Sequence, residues 1–220
     1  MITLITPTAD RPEAFALCEK WIERQTVPFD QWIVVDDGLN PVRCTMGQTH
    51  IKRPRVFQGG ESLANNIISA IQHVNGDAVL IVEDDDWYAQ NHIALSIERL
   101  KQHKAVGCRW MNYYHLKHGW RRIKNACSTL SNTAFRADQL RHLDRAAHEA
   151  IRQGIYHIDR LFWQAVGHDG LHDDVTVIGM KGLPGMPGIG IGHQNSGYRP
   201  DPDRAILKKW IGEDASYYVS

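Results

Sequence analysis

The 220-residue chain has no apolar run long enough to cross a bilayer. Stretches such as Ala78–Val82 fall far short of the ~20 residues a spanning helix needs. It has no C-x-x-C pair. Its four cysteines, Cys18, Cys44, Cys108 and Cys127, lie far apart, which fits reduced thiols in a cytoplasm. No G-x-x-x-x-G-K-[ST] is present, so a P-loop NTPase is unsupported. G-x-S-x-G and H-E-x-x-H are missing too, which argues against a serine hydrolase and a zincin. Only a brief apolar stretch precedes Asp10 and Arg11, so no secretory leader is expected there. Net charge is also missing: 25 Lys+Arg balance 25 Asp+Glu, which excludes a uniformly basic surface. With 43% hydrophobic and 23% charged residues, the composition is that of an ordinary globular chain, long enough for one domain with a buried core.

The zero charge is a sum of unlike parts. Residues 1–98 hold 7 basic and 14 acidic residues, and residues 138–220 hold 9 basic and 11 acidic. Residues 99–137 hold 9 basic residues and no acid, which suggests a spatially separate positive field. Within it Trp110, Tyr113, Tyr114 and Trp120 alternate with Arg109, Lys117, Arg121, Arg122 and Lys124. That mixture suits stacking on bases and contact with phosphates. Solvated charges with stems packed along apolar surface explain it equally well.

The first half alternates strand-like and helix-like segments. Ile2–Thr6 reads as a short strand, and Trp32–Val35 and Ala78–Val82 are continuous apolar runs of the kind buried in a parallel sheet. Helical spacing appears over residues 12–25, with Asp10 and Glu13 as a capping pair, over Leu63–Val74, and again at Ile93, Ile97 and Leu100. This order predicts an α/β fold, a mostly parallel central sheet with helices on both faces. Further on, Val106–Arg109 and a segment near Ala126–Phe135 read as strands, Ala137–Gln153 and Ile158–Val166 as helices, and Val175–Ile178 as a last strand. Residues 182–192, with five glycines and two prolines, form a loop, which a lid over the donor and a long connection explain equally. The stretch His168–Asp174 reads as a polar turn. Ligands in such sheets bind beyond the carboxyl ends of the strands. All three strand ends are conspicuous here: Thr6-Pro7-Thr8, Asp36-Asp37 and Glu83-Asp84-Asp85-Asp86. Four consecutive carboxylates in an exposed loop suit a hard cation, Mn²⁺ or Mg²⁺, bound together with a phosphate.

Taken in order, ITLITPTADRP, WIVVDDG, GGESLANNIISAI and VLIVEDDDWYAQNHI resemble the nucleotide-sugar half of GT-A glycosyltransferases, the inverting family-2-like group in particular. STLSNTAFR, followed by Ile158-Asp159-Arg160-Leu161-Phe162-Trp163, is similar to the acceptor half. The resemblance implies a GT-A, Rossmann-like fold in one catalytic domain over residues 1–220. Residues 1–104 would hold the donor, a UDP-sugar by this likeness, and residues 105–220 the acceptor. It implies that Thr6, Pro7, Thr8 and Arg11 border the nucleotide, that Asp37 and Asn66 bind the base or ribose, and that Asp84 and Asp86 assist. Asp85 and Glu83 stand in the D-x-D positions as metal ligands, with Glu83 where the family has Asp, and His193 completes the set. Asp159 is implied as the general base, although a carboxylate there also suits a helix cap. The acceptor side would be Trp110, Tyr113, Trp120, Arg121 and Arg122. Its partner would be an anionic acceptor, nucleic acid with hydroxymethylated bases included, or a glycan or lipid-linked acceptor. A nucleotidyltransferase and a non-catalytic nucleotide-sugar-binding module are the other classes, and oligomeric state is left open.

Overall fold

The computed structural model describes residues 1–55 and 61–218. Gly59 and Gly60, which open the third sequence motif, lie outside the described residues. In chain order the elements are β1 (Ile2–Thr8), α1 (Pro12–Glu23), β2 (Gln31–Asp36), β3 (Thr49–Lys52), α2 (Glu61–Ile71), β4 (Ala78–Ile81), β5 (Asp86–Tyr88), α3 (His92–Leu100) and β6 (Ala105–Cys108). They continue with β7 (Trp110–His115), β8 (Gly119–Lys124), β9 (Thr133–Arg136), α4 (Leu140–Gln153), α5 (Ile158–Val166), β10 (Leu171–His172), β11 (Val177–Lys181) and α6 (Ala205–Ile211).

Seven strands form the main sheet in the order β10-β6-β9-β4-β1-β2-β3. β1 runs parallel to β2 and β4, and β2 parallel to β3. β9 runs antiparallel to both β4 and β6. The strand period of two sorts the central side chains onto opposite faces. Leu4, Trp32, Val34 and Leu80 pack with Phe15, Cys18, Trp21 and Ile22 of α1. Ile5, Ile33, Val35, Val79 and Ile81 pack against Ala64, Ile67, Leu143, Phe162 and Trp163 of α2, α4 and α5. Covered on both faces, these strands are apolar at most positions, with β1 burying Thr3 and Thr6 on hydrogen-bond partners.

A second sheet, β5-β11-β7-β8, stands beyond the main one. β5 pairs antiparallel with β11, β11 parallel with β7, and β7 antiparallel with β8. The two halves of the chain therefore interlock: β9 enters the first half's sheet beside β4, and β5 joins strands of the second half.

Several local expectations are corrected. Asp10 does not cap α1. It takes a left-handed backbone (φ 51°), and its carboxylate accepts the Asn40 N–H at 2.7 Å and pairs with Arg55, so Arg11 stands at the cap position instead. The stretch 126–135 is a strand only from Thr133, preceded by a single 3₁₀ turn at Leu130–Asn132. The first three residues of the expected 137–153 helix are also 3₁₀. The last strand sits two residues later than expected, at Val177–Lys181. All four cysteines are free. Among the described residues no helix is long and apolar enough to cross a membrane.

Thr6 is fully buried and its Oγ1 accepts the Trp32 indole N–H at 2.9 Å, tying β1 to β2 inside the core. Thr6→Val removes that acceptor while keeping the volume. It is expected to cost about 1–3 kcal/mol, the penalty for a buried donor left without a partner, read as a lower denaturation midpoint at unchanged slope.

Candidate active site

The carboxyl ends of β1 and β4 open into a cavity of about 460 Å³. It is lined by Pro7, Thr8, Arg11, Asn66, Glu83, Asp85, Asp86, Tyr113, Asp159, Lys181 and His193, among others. The topology thus gathers Pro7, Thr8, Arg11 and the acidic run from the first half with Asp159 and His193 from the second.

The acidic run is not the exposed loop that its composition suggests: Asp84, Asp85 and Asp86 are each at most 5% exposed. Asp84 accepts the Thr8 hydroxyl at 2.6 Å and lies 3.0 Å from the Arg11 guanidinium. Burial nevertheless pushes its carboxyl up to about 6, partly offset by Arg11. Asp85 faces Lys181 Nζ at 2.8 Å, His193 Nε2 at 3.3 Å and Arg11 Nη1 at 3.4 Å. Against the cost of burial, these cations and donors hold it well below the usual carboxylate range. Asp86 receives the same Lys181 ammonium at 2.9 Å, yet its Oδ2 is buried without a hydrogen-bond partner and burial raises its pKa. Glu83 is pushed up to about 8 by burial, then by the charges of Asp86 and Asp85. Four carboxylates thus meet two permanent cations, a deficit of positive charge, while burial first and neighbouring carboxylates second raise Glu83, Asp84 and Asp86.

A divalent cation fits this deficit. Glu83, Asp85 and Asp86 each bring an oxygen within 4.8 Å of the others, and the unpartnered Asp86 Oδ2 supplies an orphaned acceptor. The donor set is of the hard, all-oxygen kind that Mg²⁺ and Mn²⁺ favour. His193 stands beside it because the Gly/Pro loop folds back over the cavity. The Met186 N–H donates to the Asp10 carbonyl at 3.2 Å, and the Gly188 N–H to His193 Nδ1 at 3.3 Å. That second bond leaves Nε2 as the protonated nitrogen facing Asp85.

Asp159 lies in the first turn of α5 without being its cap, the position His157 occupies. Its Oδ1 accepts the Arg160 N–H at 2.7 Å, and burial raises its pKa. Asp37 is 1% exposed and stays behind the cavity wall, where it accepts the Ser62 hydroxyl at 2.6 Å and the Asn66 amide at 3.0 Å. It thereby aims two residues that do line the cavity. Thr6 stays in the core, one residue behind Pro7.

The five aromatic and basic candidates of the β7–β8 hairpin are not brought together. Tyr113 lines the main cavity, whereas Trp110, Trp120, Arg121 and Arg122 line a second one of about 470 Å³ with Arg199. There the Arg122 guanidinium lies 4.3 Å from the Trp110 ring centroid, Lys124 Nζ 5.1 Å from it, and Arg199 4.9 Å from that of Trp120. Among the described residues none of these cations has a carboxylate partner. Sequence reasoning missed Lys181 altogether. The one signal that pointed to it was indirect: four consecutive carboxylates require internal cations once they are buried.

Among solved structures the fold is similar to S. aureus TarS, with TM-score 0.60 and 12% identity over 81% of this chain and 36% of that one. It is also similar to the mannosyltransferase PcManGT from Pyrobaculum calidifontis in complex with GDP-Man and Mn²⁺, with TM-score 0.53 and 16% identity over 83% and 57%. A third is 2-C-methyl-D-erythritol 4-phosphate cytidylyltransferase from Thermus thermophilus, with TM-score 0.52 and 12% identity over 96% and 98%. The chain spans only about a third to three fifths of the length of the first two. At these identities the likeness shows the GT-A, Rossmann-like fold alone. No match is found among curated proteins. The family described as Glycosyl transferase family 2 matches residues 3–158, well over half of the sequence and the stretch that builds both the acidic cluster and the start of α5; the chain belongs to that family.

Proposed function

We propose that the chain is a glycosyltransferase that moves a sugar from a nucleoside diphosphate sugar, a UDP-sugar first, to an acceptor hydroxyl with inversion. The observation that carries this reading is the shared cavity. A cation-poor acid cluster at the strand ends and a half-buried carboxylate, Asp159, from the other half of the chain face the same 460 Å³ space. TarS in complex with UDP and PcManGT with GDP-Man and Mn²⁺ supply the precedent for donor class and ion. Residues 1–104 form the donor half and 105–220 the acceptor half of one catalytic domain, placed in the cytoplasm.

Asp85, with Glu83 and Asp86, would hold Mn²⁺ or Mg²⁺, and His193 stands next to them. The ion supplies Lewis-acid stabilisation of negative charge on the departing diphosphate. The protein's own contribution begins with Arg11. Its guanidinium, held between Asp84 and Asp85, keeps a fixed positive charge beside the phosphate region. Asn66, Pro7 and Thr8 border the nucleotide, and Asp37 with Arg53, which donates to Asn66 Oδ1 at 2.7 Å, fixes the Asn66 amide. Asp159 takes the proton from the acceptor hydroxyl as it attacks the face opposite the leaving group. Its raised pKa makes it a stronger base than an exposed aspartate, and the Arg160 N–H orients it. Tyr113 contacts the incoming acceptor. The cations and tryptophans of the second cavity favour an anionic acceptor, nucleic acid with hydroxymethylated bases among them. The cytidylyltransferase likeness covers nearly all of both chains and keeps nucleotidyl transfer as a second reading. Against it, Pro7-Thr8-Ala9-Asp10-Arg11 replaces the Gly-rich, Lys-containing turn that such chemistry uses after the first strand.

A donor screen decides between these readings: nucleoside diphosphate released from a sugar donor supports the transferase, and pyrophosphate released from a triphosphate supports nucleotidyl transfer. Asp159→Asn is expected to lower kcat by about 10²–10⁴-fold with nucleotide affinity retained. The wild-type rate should decline as pH falls through the raised pKa of that group. Undiminished turnover by Asp159→Asn would sink its role.

The acid cluster also sets a pH dependence of stability. Glu83 and Asp84 titrate at about 8 and about 6 in the folded chain, against ordinary values of 4.5 and 3.8. These two groups bind more protons folded than unfolded. Burial lowers His92 and His172 from 6.5 to about 3 and about 4, so they bind fewer at pH values below their ordinary one. Above it the carboxyls decide the sign, and stability falls as pH rises. The Tm of the metal-free chain is expected to drop between about pH 7 and pH 8, with Mn²⁺ or Mg²⁺ restoring it. A Tm that rises across that window contradicts this account.

A further inference from the structure

Lys181 is the last residue of β11, and its side chain is only 4% exposed. β11 pairs with β5 through Gly179 and Asp86. Lys181 lies two residues further on, on the same pleat face, so the strand aims its side chain along the acid cluster. Its ammonium bridges Asp85 Oδ2 at 2.8 Å and Asp86 Oδ1 at 2.9 Å. The oxygens it holds belong to two of the three carboxylates that fit a divalent cation. Asp85 Oδ2 also meets Arg11 and His193, so it is the most heavily engaged acceptor in the cluster. An ion on that oxygen at about 2.0–2.2 Å and an ammonium at hydrogen-bond distance on the same atom repel each other strongly in a buried site. The two cations compete.

We propose that Lys181 is an exchangeable internal counter-cation. A divalent ion arriving at Asp85 and Asp86 displaces its ammonium, which turns within the same cavity to the diphosphate of the donor. This rests on the donor reading above. A buried ammonium that leaves two carboxylates needs another anion at once, and the diphosphate is the anion that enters this cavity. Lysine suits the exchange, being a point charge on a flexible stem with three rotatable donors. Ion and donor then bind cooperatively: the ion frees the ammonium for the diphosphate, and the diphosphate stabilises the ammonium away from the ion. The coupling is reciprocal. Before either ligand arrives, Lys181 keeps the acid cluster from repelling itself apart.

The test measures Mn²⁺ binding to the full chain by calorimetry, with and without UDP or GDP. In the wild type the nucleotide should raise Mn²⁺ affinity. Lys181→Met removes the charge at similar length. It should bind Mn²⁺ alone at least about tenfold more tightly than the wild type, and the nucleotide-induced gain should be at least about tenfold smaller. Lys181→Arg keeps a cation in place and should retain weak Mn²⁺ binding in the absence of nucleotide. If Lys181→Met is unstable without the ion, thermal unfolding replaces calorimetry: its Mn²⁺-induced rise in Tm should exceed that of the wild type. Mn²⁺ affinity unchanged or weakened in Lys181→Met, with nucleotide binding intact, overturns the proposal and makes Lys181 a fixed structural partner. If neither UDP nor GDP binds the wild type, the donor reading fails instead, and the nucleotide-free Mn²⁺ comparison still decides whether Lys181 competes with the ion.

Discussion

The structure turns on the buried charge cluster in which Glu83, Asp84, Asp85 and Asp86 face Arg11 and Lys181. Six ionisable groups withdrawn from water carry a desolvation penalty of several kcal/mol apiece, recovered only if each charge finds its partner at close range. That requirement constrains three separate segments at once. Arg11 sits in the β1–α1 turn, the carboxylates span the end of β4 and the start of β5, and Lys181 ends β11. Since β4 belongs to the main sheet and β5 and β11 to the second, the cluster joins the two sheets electrostatically where the cavity opens between them. One hydrophobic core also spans both sheets, from Leu4 and Leu80 to Tyr88, Met111 and Met180, and the ion pairs add a charge registration to it.

The same constraint explains why the site is deep although the chain is short. In a parallel sheet the carboxyl ends of neighbouring strands fall at one edge, so β1 and β4 bring Pro7, Thr8 and the acid run together with no contribution from loop length. The second half then closes the space from the far side. α5 presents Asp159 in its first turn, where a carboxylate is also favoured by the helix dipole, and the 182–192 loop carries His193 back to Asp85. The interlocking of β9 and β5 means that neither half is a separable module: the two walls of the cavity share strands. Asp37 and Thr6 illustrate how support is layered behind such a wall. One aims Ser62 and Asn66, the other holds Trp32, and neither reaches the cavity itself.

How much of this was legible beforehand follows from the range of the interactions involved. β1, β2 and β4 are covered on both faces, so their apolar runs stand out against any background, and the strand-end residues were readable with them. The run Glu83–Asp86 was visible, but its burial was not. Burial depends on Lys181, 95 and 96 residues away from its two partners, and no local spacing reveals a partner at that separation. The hairpin β7–β8 was read for chemistry and not for structure. β7 lies inside its sheet while β8 is the edge, so WMNYYH and GWRRIK mix aromatics and cations without clean alternation. Asp10 failed as a helix cap for a similar reason. Arg55 and the Asn40 N–H, both distant in sequence, claim a carboxylate that local rules assign to α1.

The acid-free segment acquires two distinct explanations once its strands are placed. β8 is the edge strand of its sheet, bridged to Arg199 at Trp120, and charged side chains along such an edge oppose pairing with another chain. Arg121, Arg122 and Lys124 therefore have a folding role independent of any ligand. That role does not require the tryptophans. In the hairpin register Trp110 lies opposite Lys124, Asn112 opposite Arg122 and Tyr114 opposite Trp120, so these six share one face. Met111 and Tyr113 point the other way, toward the main cavity. One hairpin thus supplies an apolar and aromatic wall to the site on its inner face and, on the outer face, a cation-flanked Trp110 whose positive neighbours lack carboxylate partners among the described residues. Edge protection accounts for the sign of the charge. The Trp110 indole lies against Arg122 and Lys124 in two cation–π contacts, which hold this face of the hairpin together with no ligand required.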